Sequence, residues 1–375
     1  MNQKETLCAM ALARLLHFQP AVLTELYRHL GSATAIVENR NRINEVVPEA
    51  SPKLREVLAD FDTALKRAEE ELVFCGKHGI RVLVMGNADY PARLAECADA
   101  PLVLYYRGTA DLNCQKIICV VGTRHCTTYG QDLVRRFVAD LRMLCPNVLI
   151  VSGLAYGIDI NAHRQALQNG MLTVGVLAHG LDDLYPPRHR QTAIDMLSQG
   201  GLVTEFMSKT QADKVNFVRR NRIVAGMSDA CVVVESAARG GALITAEIAR
   251  SYSREVFAFP GRVGDEFSEG CNHLIRDTGA QLLTSAEDLV LAMGWQNDAQ
   301  LRQAQAMGIE RQLFPALSPD EQAVVKALAA ENDQQLNVLA RNVGVSVAQL
   351  STTLFSLEMK GLIKTLAGGV QHLLK

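Results

Sequence analysis

Apolar residues in the first 70 positions recur at helical spacing: Leu7, Met10, Leu12, Leu15 and Leu16, then Val22, Leu23, Leu26 and Leu30. Pro20 and Gly31 interrupt the series and Pro48 and Pro52 follow, so the pattern predicts a small all-helical module over residues 1–70. The period then changes. Leu102–Tyr106, Ile117–Val121, Val148–Val151, Thr173–Leu177, Leu202–Glu205, Ala230–Glu235 and Glu255–Phe259 are short apolar runs separated by helix-length segments. Strands alternating with helices predict βαβ units, hence an α/β domain with a mostly parallel sheet over 71–297.

Residues 296–312 are polar and lack an apolar face, as in a linker or an exposed helix. Beyond them, Ser318-Pro319-Asp320-Glu321 has capping-box spacing with proline at the first helical position. Ser346 and Gln349 repeat the spacing before Leu350, Leu354, Leu357 and Met359. Gly361 ends that helix, and Leu362–Leu366, Gly368-Gly369 and Val370–Leu374 read as a hairpin. Three helices and a hairpin over 313–375 make a winged helix-turn-helix pattern.

Composition narrows the function. Among 375 residues, 38 Lys+Arg oppose 40 Asp+Glu for a formal net charge of -2, so an anion or nucleic-acid site must come from local clustering. The 48% hydrophobic and 21% charged fractions exclude a disordered or collagen-like chain. Nine cysteines without a C-x-x-C pair fit neither a disulfide framework nor a cysteine zinc site, and point to reduced thiols in the cytoplasm. The apolar run Leu7–Ala13 is too short for a membrane span and no cleavage site follows it, so no export is expected.

Four glycine-bearing turns follow the expected strands: Gly122-Thr123-Arg124, Ser152 to Asp159, His179 to Asp182, and Arg239 to Thr245. In a parallel sheet such turns converge on one edge, where small residues let phosphates approach backbone N–H groups and helix N-termini. Any single glycine is accounted for by a tight turn; four together predict one binding edge. A dinucleotide site is disfavoured, because Arg124 stands where the G-x-G-x-x-G fingerprint needs glycine and the strand ending at Ser152 offers no carboxylate for a ribose. No G-x-x-x-x-G-K-[ST] is present either.

The most basic stretch is Lys209 to Arg222, with Lys209, Lys214, Arg219, Arg220 and Arg222 against Asp213 alone. Phe217 lies within it, and an aromatic surface beside phosphate-binding cations is what single-stranded nucleic acid requires. A solvated basic helix start is the plainer reading, and the position on the glycine edge argues against it. Asp159 and His163 at i, i+4, with His179 and His189, have a possible metal-ligand spacing, but an Asp in a first helical turn is more often a cap. Glu205 and Glu235 end strands at the same edge, as acid/base groups or as partners orienting arginines such as Arg124 or Arg222.

Several ordered motifs resemble the DNA-processing protein A (DprA, or Smf) family. Val121-Gly122-Thr123-Arg124 with Thr128-Tyr129-Gly130 is similar to V-G-[ST]-R…T-x-Y-G, SGLAYGIDINAH over 152–163 to S-G-L-A-x-G-I-D-x-x-A-H, and Gly180-Leu181-Asp182 with Tyr185-Pro186 to G-L-D-x-x-Y-P. RNRIVAGMS over 220–228 is similar to R-N-R-I-I-A-G-L-S. Further matches at 243–246, 257–261 and 272–275 extend the resemblance over 117–285.

The resemblance implies an extended Rossmann-like domain flanked by a helical, sterile-alpha-motif-like N-terminal module and a winged-helix C-terminal module. It also implies a homodimer that binds single-stranded DNA and loads the RecA recombinase during natural transformation, without catalysis, cofactor, metal or membrane. Carried over, the DNA pocket comprises Gly122, Thr123, Arg124, Ser152, Gly153, Lys214, Phe217, Arg220, Asn221 and Arg222, with Gly241 offering its backbone N–H. The segment before the basic block lacks the family's usual prolines and glycine over 204–217. The alternative is a phosphoribohydrolase of the lysine-decarboxylase-like group, which uses P-G-G-x-G-T-x-x-E. The stretch 239–247 keeps the paired glycines and Glu247, but has Arg239, Leu243 and Ile244 at the other motif positions. In the winged helix, Val347–Lys360 carries only Glu358 and Lys360 as charges, which predicts contact with protein rather than duplex DNA.

Overall fold

The structure, a computed structural model, describes residues 2–47, 52–295, 317–360, 362–366 and 370–373. The chain forms two compact units, Met1–Ala299 and Gln300–Lys375. The first is built on nine strands: β1 (Arg81–Val84), β2 (Val103–Gly108), β3 (Lys116–Val121), β4 (Val148–Ser152), β5 (Thr173–Val176), β6 (Gly200–Thr204), β7 (Ala230–Val233), β8 (Glu255–Ala258) and β9 (Gln281–Leu282). Their order is β1-β2-β6-β5-β4-β3-β7-β8-β9. All neighbours from β6 to β9 are parallel, while β2 is antiparallel to both β1 and β6. The seven expected runs are all strands; β1 and the two-residue β9 are additions at the sheet's edges.

Side chains alternate between two cores, as the period of a strand requires. Ile118 and Val120 pack with Val134, Phe137 and Leu141 of the helix Thr128–Leu144 and with Ala162 of the helix Ile158–Gln168. Ile117, Cys119 and Val121 face the other way, onto Ile223 of the helix Lys214–Gly226 and Ala246 of the helix Gly241–Ser251. Each fully buried side chain of this kind contributes roughly 1.5–3 kcal/mol. Because both faces are covered, the central strands are continuous apolar runs.

The N-terminal helices share the second core. Gln3–Leu15 and Pro20–Leu30 begin and end where the sequence pattern breaks, with Pro20 at the first helical position and Gly31 closing the second helix at φ 79°, which glycine adopts at little cost. The buried Thr24 hydroxyl donates to the Ala100 carbonyl at 2.7 Å, and the Tyr27 hydroxyl to that of Met85 at 2.8 Å. The helix Phe61–His78 runs through residue 70 and leads directly toward β1. No helix among the described residues is long and apolar enough to cross a membrane.

The second unit has helices Pro319–Ala330, Leu336–Val343 and Val347–Met359, with strands β10 (Gln334–Gln335), β11 (Ile363–Leu366) and β12 (Val370–Leu373) in an antiparallel sheet of order β10-β12-β11. Both capping boxes form, at Ser318 with Glu321 and at Ser346 with Gln349. Val324, Leu328, Leu339, Leu350, Leu354 and Leu357 make its core. The short β10 was not evident in the sequence pattern. The expected linker 296–312, the helix stop at Gly361, the turn at Gly368-Gly369 and Leu374 lie outside the described residues.

Candidate nucleic-acid interface

The chain leaves β3 toward β4 on one side and later returns to β3's other side as β7, so the sheet's topological switch point lies at β3. Ligands of open α/β sheets bind outside the carboxyl ends of the strands at such a point. A cavity of about 750 Å³ opens there, lined by the turns after β3, β4 and β7 and by one face of the helix Lys214–Gly226.

The turns interlock through their backbones. Thr123 N–H donates to the Glu235 carbonyl at 2.8 Å, and Ile158 N–H to that of Thr123 at 3.2 Å. A side chain at Gly122 would run into Ile158, and one at Gly153 into Asp159 and Arg220. Gly157 precedes the helix Ile158–Gln168 at φ 80°, pressed against Thr123 and Arg124. Glycine at these positions therefore brings backbone and cations together, as the turn argument anticipated.

Asp213 caps the basic helix by accepting from Asn216 N–H at 2.8 Å. Lys214, Phe217, Arg220, Asn221 and Val224 then recur at helical spacing along the cavity wall. The Arg124 guanidinium lies 5.0 Å from the Phe217 ring centroid, and Tyr185 stands 5.9 Å from that ring. Gly241 also lines the cavity, at the first turn of the helix Gly241–Ser251, where backbone N–H groups are unsatisfied by the helix itself.

The floor is charged and buried. Arg220 is 4% exposed, donates from Nη1 to the Val176 carbonyl, and its Nε has no hydrogen-bond partner. Asp159 faces it: burial pushes this carboxyl above its ordinary value and the Arg220 charge opposes the rise. Beneath them His163 is fully buried, with Nε2 2.5 Å from the Gly153 carbonyl and Nδ1 2.7 Å from the Thr173 hydroxyl. Burial lowers its pKa to about 4, so it is neutral at neutral pH.

Nine of the eleven expected site residues line this cavity: Gly122, Thr123, Arg124, Gly153, Lys214, Phe217, Arg220, Asn221 and Gly241. Two do not. Ser152 is the last residue of β4, fully buried, with its hydroxyl donating to the Val120 carbonyl at 2.6 Å. Arg222 projects from another side of its helix, pairing with Glu205 at 2.5 Å and donating to the Asp99 carbonyl at 2.7 Å. Arg219 also points elsewhere, over the rings of Phe18 and Phe206.

The third glycine turn has a different task. Asp182 accepts from Lys209 N–H at 2.8 Å and Gly180 N–H donates to the Thr210 carbonyl at 3.1 Å, so this turn braces the segment ahead of the basic helix. Glu235 accepts from the Thr127 hydroxyl and N–H, holding the helix that starts at Thr128 rather than an arginine. Among the described residues, no group of three or more His, Cys, Asp or Glu side chains could hold a metal ion. His179 and His189 instead meet the carbonyls of Gly180 and Leu154. The cavity also contains His125, Tyr185 and Phe267, which sequence reasoning did not single out. Only Tyr185 carried a signal, its place in the G-L-D-x-x-Y-P motif.

Comparison with known proteins identifies the family. A family model described as DNA recombination-mediator protein A matches residues 81–294, and one described as DprA winged helix domain matches 310–369. The Smf protein of Escherichia coli is 34% identical over 349 residues, spanning 90% of this chain and 89% of its own. The Streptococcus pneumoniae DNA processing protein DprA is 42% identical over 202 residues, 54% of this chain and 70% of its own. The crystal structure of the S. pneumoniae protein superposes with a TM-score of 0.58 at 33% identity, covering 68% of this chain and 91% of that one. A Helicobacter pylori DNA processing protein A, studied for its single-stranded DNA binding mode, superposes with a TM-score of 0.52 at 25% identity, covering 57% of this chain and 95% of its own. The chain belongs to the DNA recombination-mediator protein A family.

Proposed function

We propose that the cavity at the β3 switch point binds single-stranded DNA and that the protein acts as a recombination mediator on that DNA. The observation that carries this reading is the Arg124 guanidinium held 5.0 Å from the Phe217 ring, with Lys214 one helical turn before Phe217 on the same wall. An aromatic face for a base next to cations for phosphates gives affinity without sequence readout, each stacked base being worth about 1–3 kcal/mol. The Helicobacter relative, whose structure concerns single-stranded DNA binding, supports the same ligand class.

In this reading the chain works in the cytoplasm as a homodimer, protects incoming DNA during natural transformation and loads the RecA recombinase onto it. The winged-helix unit contacts protein: its helix Val347–Met359 exposes Phe355 at 67% and has no basic side chain. The phosphoribohydrolase alternative finds little support, because Glu247 is exposed on the helix Gly241–Ser251 and does not line the cavity.

Fluorescence anisotropy of labelled oligo-dT across a salt series tests the binding. With Arg124, Lys214 and Arg220 as phosphate partners, the log–log salt slope should be about −2. Arg124→Ala and Phe217→Ala should each weaken binding by about tenfold or more. Wild-type protein that fails to bind at low salt would refute the assignment.

A further inference from the structure

The mouth of the cavity has aromatic side chains on two sides. On one, Tyr185 packs near Phe217, and beyond the cavity lining Tyr156 meets His189 of the same loop edge to face with centroids 4.9 Å apart. On the other, His125 stacks on Phe267 at 6.3 Å. Either side offers a ring to a base, so rings alone do not say which way a strand leaves the cavity.

Charge does. The loop 182–190 on the first side holds Arg188 and Arg190 against Asp182 and Asp183. Those four charges cancel, and the exposed Arg164, whose Nε lies 3.4 Å from the Thr192 hydroxyl just beyond the loop, leaves this side net positive. On the second side, residues 262–269 set Arg262 alone against Asp265, Glu266 and Glu269. A polyanion leaving the cavity is repelled there and attracted on the first side.

Tyr156 is also held in place for contact. Its neighbour Ala155 donates its N–H to Asp159 Oδ2 at 3.4 Å and Gly157 is pressed against Thr123 and Arg124, while His189, which touches its ring, is anchored to the Leu154 carbonyl at 2.9 Å. Even so, Tyr156 is 43% exposed and Tyr185 49%. We propose that a single strand seated in the cavity continues over Tyr185 and Tyr156 toward Arg188 and Arg164, so that Tyr156 stacks a base and the Phe267 side stays empty. This rests on the single-strand reading of the cavity.

The full chain is titrated into labelled oligo-dT of about 15 nucleotides, a length that spans more than one base-stacking position. Tyr156→Ala should lose about tenfold in affinity and Tyr156→Phe should stay within about twofold of wild type. Arg188→Ala should flatten the log–log salt slope by roughly 0.7. Asp265→Asn combined with Glu266→Gln should change affinity by less than about twofold. All these positions are exposed, so the fold should survive each change. If Tyr156→Ala and Arg188→Ala bind as wild type while Arg124→Ala is impaired, this track is wrong and the cavity reading stands. A gain above about tenfold on neutralising Asp265 and Glu266 would place the strand on the Phe267 side and also overturn it. Absence of oligo-dT binding by the wild type would overturn both readings.

Discussion

Arg222 and Glu205 form a 2.5 Å ion pair whose side chains are only 7% and 9% exposed, on a side of the basic helix away from Phe217. The pair ties this helix to the end of β6, and a second bond from Arg222 reaches the Asp99 carbonyl. Removing one member of a buried pair strands the other charge, at a cost of about 3–5 kcal/mol. Arg222→Ala should therefore lower stability by that amount in urea unfolding, without changing the salt slope of oligo-dT binding. Arg124→Ala should do the reverse. A folded Arg222→Ala protein with a flattened slope would return Arg222 to the binding surface.

The different fates of Arg220 and Arg222 show where sequence reading stopped. The basic block was legible as charge, but a helix turns about 100° per residue, so residues two apart face different directions. The helical phase of 214–226 separates Lys214, Phe217, Arg220 and Asn221 from Arg219 and Arg222, and counting charges ignores phase. Ser152 falls outside the cavity lining for the analogous strand reason: it ends β4 fully buried, with its hydroxyl donating to the Val120 carbonyl. The parallel strands were legible because burial on both faces makes them continuous apolar runs. Edge strand β9 was not, having two residues, both exposed. Tyr185 reaches Phe217 from a loop 32 positions earlier in the chain, and no local pattern encodes that contact.

Lys209 adopts φ 65° in the segment that lacks the family's usual glycine. A left-handed backbone costs a side-chain-bearing residue roughly 1–2 kcal/mol, partly offset by glycine's greater freedom in the unfolded chain. Lys209→Gly should raise stability by about 0.5–1 kcal/mol, because Asp182 and Glu71 still hold the segment through backbone N–H groups of Lys209 and Ser208. Chemical denaturation of the two proteins side by side measures the difference. A loss of stability would mean that the lysine side chain itself contributes to the fold.

His163 gives the fold a pH dependence. Its folded pKa is lowered to about 4 from 6.5, so between those values the unfolded chain binds a proton that the native protein excludes. Stability from this group is therefore complete above pH 6.5 and falls as the pH drops toward 4, where the loss levels off. From pH 7 to pH 5 the loss is about 2 kcal/mol. Urea unfolding of wild type and His163→Leu at both values isolates it: the variant is less stable throughout, but its decline over this window should be smaller by about that amount. Equal declines would mean that His163 already shares its proton state with the unfolded chain.

In the winged-helix unit Glu321 serves two structures at once. Its carboxylate accepts from Ser318 N–H to complete the capping box of its own helix, and from Ser356 and Lys360 near the end of the helix Val347–Met359, with the Lys360 ammonium 2.6 Å from both oxygens. These donors favour the ionised form and hold the carboxyl at about 2, below its ordinary 4.5. A depressed carboxylate stabilises the fold fully above its unfolded pKa and loses that contribution as the pH falls through its folded value, here between about 4.5 and 2. Glu321→Gln keeps the size of the side chain but removes the charge that Lys360 meets. Thermal unfolding of the full chain should show this variant less stable than wild type at pH 7, with the gap narrowing as the pH is lowered through 4 toward 2. A gap that stays constant over that range would mean that the capping geometry, rather than the charge on Glu321, joins the two helices.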